Sequence, residues 1–321
     1  MKIILTGGLG YIGTKLLIKL LEEKHIVTVI DANWFGNYLP KEIVNNKNFQ
    51  LIKDSVVNIN NYKFKNFDIF IHLANVANDP AGDLDSKITW EINVLHSKLL
   101  IEFAIKNNFK KFIFASSGSV YGVKKERKVH EDLDLVPISD YNKTKMISER
   151  VLLSYKDKIN LKILRPATVC GYSPKMRLDL SVNMLSMQAL SNKEITLFGG
   201  SQIRPNLNIN DMVSAYLHMI KDNSKNIIYN VGNENLSLRE MSLLIQKIIP
   251  CKIKVLKISD VRSYRLDSSK LLKTGFRFRY SVEDAVKELK YKHSIGLLKN
   301  NSKFYNLVSM NKKIHKIKKD L

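Results

Sequence analysis

The chain has 321 residues, of which 45% are hydrophobic, so it is long enough to bury a large core and is not composed like a disordered protein. Its 52 basic and 30 acidic side chains give a net charge of +22, but it has neither a zinc finger nor an RNA-binding pattern of basic and aromatic residues. We therefore expect no specific nucleic-acid partner, and we attribute the charge to a lysine-rich composition and to anionic small-molecule substrates.

The cysteines and the apolar runs suggest a cellular compartment. Cys170 and Cys251 have no CxxC spacing and no accompanying histidine cluster, so neither a disulfide framework nor a metal site is supported. The apolar run at the N-terminus is too short for a signal peptide, and no stretch approaches the roughly 20 apolar residues of a membrane span. We expect a cytoplasmic protein without a membrane span.

Short, β-branched apolar runs alternate with segments of helical periodicity over the first half of the chain. The predicted strands are 2–6, 25–31, 67–73, 110–117 and 161–166, and the predicted helices are 11–24, 86–107 and 140–157. Strands and helices that alternate in this way predict an α/β fold, a Rossmann-type doubly wound parallel sheet.

This alternation changes after Pro166. A helix near 180–192, a short strand in ITLFGG and a helix near 237–249 predict a smaller C-terminal substrate-binding α/β domain, and 226–232 predicts a strand that returns to the first sheet. The predicted organisation is a dinucleotide-binding domain over 1–166 with a return segment near 205–232, an interleaved substrate-binding domain over 167–291, and a basic tail over 292–321. The tail is either weakly ordered or docks late.

The turn after the first strand, TGGLGYIG, carries glycines at three-residue intervals, Gly7, Gly10 and Gly13. Glycine permits a tight turn there and lets the backbone approach a pyrophosphate at the N-terminus of the next helix. Asp31 follows 18 residues after Gly13, at the end of the second strand, where a carboxylate would bind a ribose diol and repel a 2′-phosphate. The pattern predicts a dinucleotide site that prefers NAD to NADP.

Further motifs follow in order: Asp54, HLAN (72–75), Asn93 in WEINV, SSGSVYG (116–122), YNKTK (141–145), RPATVCG (165–171) and YNVG (229–232). With them, residues 1 to about 290 resemble the extended short-chain dehydrogenase/reductase family, especially its NAD-dependent sugar-nucleotide epimerases and dehydratases. The resemblance implies a homodimer that binds NAD and a nucleotide-diphosphate sugar. It assigns cofactor binding to Gly7, Gly10, Tyr11, Ile12, Gly13, Asp31, Asp54, Leu73, Ala74, Asn93, Tyr141, Lys145 and Pro166.

Catalysis is assigned by the same resemblance to Tyr141, Lys145 and Ser117. Tyr141 would be the acid/base, Lys145 would bind the nicotinamide ribose and lower the pKa of the tyrosine, and Ser117 would hydrogen-bond the reacting hydroxyl. Tyr141 and Lys145 are four residues apart, which places them on one face of a helix. An ammonium near a phenol favours the phenolate, which is the form that acts as a base.

The residues after Ser117 bear on which reaction is catalysed. Dehydratases of the family carry an Asp-Glu pair there for water elimination, whereas this chain has Gly118 and Ser119. We therefore expect a C4 epimerase of a nucleotide-activated sugar for bacterial surface polysaccharide synthesis. A nucleotide-sugar 4-dehydrogenase or ketoreductase, for example on a GDP-heptose, is the alternative, ahead of a dehydratase or a non-catalytic NAD-binding protein.

Substrate contacts are predicted for Ser119, Arg177, Asn183, Arg204 and Arg262. Arg204 matches an arginine that contacts the nucleotide diphosphate in relatives, and a guanidinium suits phosphate geometry. The chain departs from the family at Pro205 and Asn208, where relatives carry Asp and His, and at Cys170, where they carry tyrosine.

Overall fold

The structure, a computed structural model, describes residues 1–256 and 263–319. The strands are β1 (Lys2–Thr6), β2 (Ile26–Ile30), β3 (Phe49–Ile52), β4 (Ile69–His72), β5 (Lys111–Ala115), β6 (Asn160–Pro166), β7 (Thr168–Cys170), β8 (Glu194–Phe198), β9 (Ile203–Asn208), β10 (Ile228–Val231), β11 (Glu234–Ser237) and β12 (Lys252–Leu256).

The α-helices are α1 (Tyr11–Glu22), α2 (Lys41–Val44), α3 (Asp79–Gly82), α4 (Ser86–Trp90), α5 (His96–Lys106), α6 (Asp140–Leu153), α7 (Ser181–Asn192), α8 (Ile209–Lys221), α9 (Leu238–Ile248), α10 (Ser269–Leu272), α11 (Val282–Ser294), α12 (Asn306–Asn311) and α13 (Ile314–Lys319). Short 3₁₀ helices occupy Val56–Asn61, Gly118–Tyr121 and Ser302–Phe304, and Glu91–Leu95 is a π-helix.

Seven parallel strands form the central sheet in the order β10-β6-β5-β4-β1-β2-β3, which confirms the predicted doubly wound Rossmann-type fold. Both faces of this sheet are buried. In β1, Ile3 and Leu5 pack with the apolar side of α1, whereas Ile4 faces the opposite side, where α5 lies. Because helices cover both faces, the strand is apolar at successive positions instead of alternating with polar residues.

The chain leaves the central sheet after β6 and comes back to it at β10. Strands β7, β8 and β9 lie between these two points of the chain, and β11 and β12 follow the return. Together they form a three-stranded sheet, β11-β9-β7, and a parallel pair, β12-β8. Strand β10 pairs in parallel with β6, with Ile228 opposite Ile163 and Val231 opposite Pro166, so the predicted return strand is confirmed. The exact domain boundaries stay predictions.

The sequence did not predict α8, although this helix is amphipathic over its full length. Met212, Tyr216 and Met219 are buried on the same side of the central sheet as Leu16 of α1. Polar residues around Asn206 and Asn210 obscured the periodicity. Within residues 1–256 and 263–319, every helix is too short or too polar to cross a membrane.

The C-terminal segment packs against the rest of the protein. Phe304, Met310 and Ile317 are buried, with 9%, 3% and 0% of their surfaces exposed. Of the two alternatives predicted for the basic tail, docking therefore describes residues 302–319, because apolar side chains at intervals of six and seven residues give the segment a buried face.

The turn between β1 and α1 is crowded around its glycines. Gly7 has a φ of +72°, and a Cβ there would lie 2.7 Å from the amide nitrogen of Ala74. A Cβ on Gly13 would lie 2.2 Å from the carbonyl oxygen of Gly7, whereas a Cβ on Gly10 would meet that oxygen at 3.2 Å. Gly7 and Gly13 thus allow α1 to begin directly against the end of β1.

This difference gives a first prediction. Gly13→Ala should lower the free energy of unfolding by about 2 kcal/mol or more, because the helix must move away from the turn. Gly10→Ala should change it by only about 0.5 kcal/mol, because its backbone conformation suits alanine. Urea unfolding of the two variants checks this, and equal stabilities would contradict the crowding argument.

Candidate active site

A cleft of about 680 Å³ lies at the carboxyl ends of β1, β2 and β4, the edge at which open α/β sheets bind ligands. Its wall is formed by Gly7, Leu9, Gly10, Asp31, Ala32, Trp34, Phe35, Gly36, Ser55, Val56, Leu73, Ala74, Asn75, Ile92 and His96. Gly7, Gly10, Asp31, Leu73 and Ala74 are the members of this wall that the sequence predicted for the cofactor.

The N-terminus of α1, at Gly10, forms part of the cleft wall. Its N-cap, Gly10, has no side chain with which to cap the first turn. The first amides of a helix have no intrahelical acceptor, so the backbone N–H groups of Tyr11, Ile12 and Gly13 are available to an anion. The side chain of Tyr11 points elsewhere, because its hydroxyl donates to the carbonyl of Gly171 at 2.8 Å.

Asp31 is held at the end of β2 by two backbone amides. Its carboxylate accepts from the amides of Leu9, at 2.9 Å, and Asn33, at 2.7 Å. Burial raises the pKa of Asp31, and these two hydrogen bonds lower it in part. The carboxylate therefore has a fixed position in the cleft wall, next to the glycine turn.

Sequence reasoning missed the aromatic side of the cleft, Trp34 and Phe35. They lie three and four residues after Asp31, and an aromatic pair so soon after the acidic residue was the signal available. Asp54, which was predicted to meet the adenine, is absent from the wall because its carboxylate accepts from Asn58 at 2.9 Å and Tyr62 at 2.7 Å. The next residues, Ser55 and Val56, form the wall instead, and the contact of Asp54 with adenine stays a prediction.

The structure brings the predicted catalytic residues together at the end of β5. Ser117 follows β5 and starts the 3₁₀ helix Gly118–Tyr121, and its hydroxyl lies 2.7 Å from the hydroxyl of Ser119. Tyr141, in the first turn of α6, lies beside Ser117, whose side chain lowers the pKa of the phenol. Lys145, one turn later, donates to the carbonyl of Ala115 at 2.6 Å.

The pKa values in this group differ from the expectation. Burial raises the pKa of Tyr141, and Ser117 and Arg177 lower it in part. Burial also lowers the pKa of Lys145 to about 7, against the effect of Glu149. We expected Lys145 to lower the pKa of Tyr141. In the protein without ligands the pKa of Tyr141 is raised instead, because burial disfavours the charged form of both side chains.

Asn93 holds neighbouring elements together through both its side chain and its backbone, and its place near the nicotinamide stays a prediction. Its side-chain amide bonds both backbone groups of Val76, at 2.9 and 3.1 Å, and donates to Thr144 at 3.0 Å. Its backbone carbonyl accepts from the hydroxyls of Ser97 and Ser148, both at 2.6 Å. This carbonyl lies in the π-helix Glu91–Leu95, a distortion that is frequent at functional sites.

A buried hydrogen-bond chain runs from the end of β1 to Tyr141. Ser97 donates to Asn93, so it accepts from Nε2 of His72 at 3.1 Å, and Thr6 in turn donates to Nδ1 of that histidine at 2.8 Å. Its members in order are Thr6, His72, Ser97, Asn93, Thr144 and the backbone carbonyl of Tyr141. Burial lowers the pKa of His72 well below its usual value, so this histidine is neutral and structural.

The predicted substrate residues have different surroundings. Arg177 forms an ion pair with Asp179, with two nitrogen–oxygen distances of 3.1 Å. Its positive charge also lowers the pKa of Tyr141. Asn183 is fully buried and bonds Gly171, Tyr11 and the backbone of Arg177, so its side chain joins the two halves of the protein. Its contact with a sugar stays a prediction.

Arg204 and Pro166 lie near the catalytic group. Arg204 lies in β9, and its charge lowers the pKa of Tyr264, which burial raises. Pro166 ends β6, and its carbonyl would lie 3.1 Å from a Cβ on Gly118. Arg262 lies outside the described residues.

Tyr264 is a further residue that sequence reasoning missed. Its hydroxyl would lie 3.3 Å from a Cβ on Gly118, and it interacts electrostatically with Tyr141 and Tyr121. The place that a longer side chain at position 118 would take is therefore filled by Tyr264 and the carbonyl of Pro166. Tyr264 belongs to no sequence motif, because its place beside Gly118 results from packing between residues far apart in the chain.

Comparison with known proteins places this geometry in a family. The sequence model described as the NAD dependent epimerase/dehydratase family matches residues 3–232. An uncharacterized UDP-glucose epimerase of Bacillus subtilis is 32% identical, covering 67% of this chain and 71% of its own. A UDP-glucose 4-epimerase of Lactobacillus helveticus is 27% identical, over 84% of this chain and 89% of its own.

Solved structures agree with these sequence relatives. UDP-glucose 4-epimerase of Thermotoga maritima, crystallised with UDP-glucose, is 26% identical and superposes with a TM-score of 0.82, covering 93% of this chain and all of its own. UDP-glucuronic acid 4-epimerase of Bacillus cereus, in complex with UDP-glucuronic acid and NAD, is 26% identical with a TM-score of 0.78, over 92% of this chain and all of its own. The site fits NAD, because the crowded glycine turn, the uncapped start of α1 and Asp31 match its pyrophosphate and ribose.

Asp31 gives the prediction that tests the cofactor preference. Asp31→Ala should weaken NAD binding about 10-fold or more, because a hydrogen bond to a charged group is lost. It should weaken NADP less, because a charge that repels the 2′-phosphate is lost as well. Calorimetry with both cofactors measures the ratio of the two affinities. Any loosening of the loop at Leu9 and Asn33 weakens both cofactors alike and so leaves this ratio unaffected. A ratio equal to that of the wild type would contradict the assignment.

Proposed function

The chain belongs to the NAD-dependent epimerase/dehydratase family, and on this premise we propose that it is an NAD-dependent C4 epimerase of a nucleotide-diphosphate sugar. The observation that carries the proposal is the contact of Tyr141 with Ser117 beside a closely packed Gly118. Such a site can move a proton to and from one sugar hydroxyl. It offers no acid/base pair at positions 118 and 119 for eliminating water.

Each residue has a separate role in the oxidation and reduction of the sugar. The glycine turn and Asp31 would hold NAD, which would supply a hydride acceptor for the sugar carbon and a hydride donor to its opposite face. Tyr141 takes the hydroxyl proton as the alcohol becomes a ketone and gives it back as the ketone is reduced. Ser117 hydrogen-bonds the reacting oxygen in both forms, and Lys145 is placed to bind the nicotinamide ribose.

The charge balance of the site suits this chemistry once it is filled. Burial holds Tyr141 in its neutral form, and Arg177 already favours the phenolate. A positive nicotinamide ring would add to that effect, and so would a protonated Lys145. We infer that the tyrosine becomes a base mainly when cofactor and sugar are bound.

The nucleotide is the least specified part of the substrate. The named relatives are epimerases of UDP-glucose and UDP-glucuronic acid, so UDP-sugars are the first substrates to test. Arg204 and Arg177 are proposed to meet the diphosphate and the sugar, together with Ser119, Asn183 and Arg262. Roles as a homodimer, in the cytoplasm and in surface polysaccharide synthesis stay predictions.

Tyr141→Phe tests the acid/base. We expect this variant to lose most turnover, about 100-fold or more, because a positioned acid/base contributes roughly that factor. The affinity for NAD and for a UDP-sugar should change little, since the lost hydroxyl acts on the transition state. Steady-state kinetics and calorimetry check the two parts, and near-normal turnover would reject the mechanism.

The reaction class is tested by product analysis in deuterated solvent without added NAD. UDP-glucose, UDP-glucuronic acid and UDP-N-acetylglucosamine are incubated with the protein, alongside GDP- and dTDP-sugars. An epimerase should give a product of unchanged mass, with no solvent deuterium on carbon and no accumulation of NADH. Mass spectrometry and absorbance at the NADH band measure these three quantities.

Other outcomes would identify other reactions. A ketosugar that can be trapped with borodeuteride, together with stoichiometric NADH, would identify a dehydrogenase, the alternative that uses the same residues. A product lighter by one water, carrying solvent deuterium next to the ketone, would identify a dehydratase. Either result would replace the epimerase proposal.

A further inference from the structure

Residues 302–319, here called the C-terminal strap, run along the mouth of the cofactor cleft. The strap begins beside the substrate-binding half, where the carbonyl of Phe304 accepts from the amide of Leu178 at 2.8 Å. Two residues later, Asn306 accepts from the buried amine of Lys175 at 3.0 Å. The same amine lies 4.6 Å from the centre of the Phe35 ring, which forms part of the cleft wall.

The middle of the strap contacts the aromatic side of the cleft directly. Lys313 donates to the backbone carbonyl of Trp34, and Trp34 lines the cleft next to Asp31. The ring of Phe304 packs against Tyr38, with centroids 5.5 Å apart. The segment after β2 is thus held from outside by an amine and an aromatic ring.

The end of the strap reaches the helices that pack on the catalytic tyrosine. Met310 and Ile317 are buried with Ala81 of α3 and Ile88 of α4. Helix α3 approaches Tyr141 so closely that a Cβ on Gly82 would lie 2.9 Å from the tyrosine Cβ. The strap therefore touches the substrate half, the cleft wall and the support of the catalytic helix.

We propose that the C-terminal strap holds the Trp34–Phe35 side of the cleft closed and so retains the dinucleotide between the two half-reactions, with Lys313 and Phe304 as its positioning residues. The inference rests on the proposed epimerase function, because only an enzyme that returns the same hydride must keep its cofactor bound throughout. Neither residue touches the reacting atoms. Both act through the wall, by limiting how far it opens.

The geometry favours retention over a purely structural role. An apolar contact alone would have anchored the chain end on α3 and α4. The strap adds a charged donor to a backbone carbonyl in the cleft wall, and the hydrogen bond of a charged group is among the stronger ones. Opening the wall at Trp34 would break that bond and separate Phe304 from Tyr38.

The test measures how fast bound NAD leaves the full-length protein. Labelled NAD is loaded, excess unlabelled NAD is added, and the release rate is compared in Lys313→Met, Phe304→Leu and wild type. We expect release to be about threefold to tenfold faster in both variants, the factor for losing one hydrogen bond or an equivalent contact. Turnover with the accepted UDP-sugar should then leak more NADH and ketosugar per cycle.

Two matched variants separate positioning from stability. Lys312→Met removes the same charge from the neighbouring exposed side chain and should leave the release rate unchanged. Lys313→Arg keeps a donor and should restore slow release. Release rates equal to wild type in Lys313→Met and Phe304→Leu would overturn the proposal, and so would faster release in Lys312→Met to the same extent.

The measurement is independent of the sugar. A wild-type protein that retains NAD but epimerises no nucleotide sugar would reject the proposed function, while the release rates would still report on the strap. A wild-type protein that epimerises a UDP-sugar, with release rates insensitive to Lys313 and Phe304, would reject the strap alone.

Discussion

The buried hydrogen-bond chain from Thr6 to the backbone of Tyr141 is the constraint on which the site depends. Its first member ends β1, immediately before the glycine turn, and its last holds the first turn of α6. Breaking any of these hydrogen bonds would leave a buried polar group without a partner, which costs free energy. Each bond is therefore strongly favoured. The glycine turn and Tyr141 therefore keep a fixed mutual position.

Burial also sets the acid/base properties of the catalytic group. It raises the pKa of Tyr141 and lowers that of Lys145 to about 7, so burial disfavours the charged form of both side chains in the protein alone. Charges brought in by ligands act strongly in such surroundings because little water screens them. In the mechanism that we propose, binding, more than the resident lysine, makes the tyrosine a base.

Packing beside the tyrosine restricts the chemistry as much as the charged groups do. Gly118 meets Tyr264 and the carbonyl of Pro166, which leaves little room for a longer side chain at that position. The hydrogen bonds of Tyr11 with Asn183 and with the carbonyl of Gly171 join the start of α1 to the substrate half. Cofactor and substrate sites are consequently parts of one packed unit, and the C-terminal strap extends that unit across the cleft.

The sequence by itself determined the doubly wound sheet, the return of β10, the glycine turn with Asp31, and the position of Tyr141 and Lys145 on one helix face, whereas Ser117 was added to them by the resemblance to the family. These features follow from local patterns, because apolar runs, glycine spacing and helical intervals each extend over only a few residues.

Only the tertiary structure decided the cleft's aromatic side at Trp34, the role of Tyr264, the internal bonding of Asn183 and the course of the strap. Each of these depends on residues far apart in the chain: Lys313 and Trp34, for example, meet across 279 positions. The pKa values belong to the same class, because burial is a property of the packed protein and cannot be read from spacing. A motif therefore shows which side chains are available for the chemistry, and packing decides which of them face the ligand.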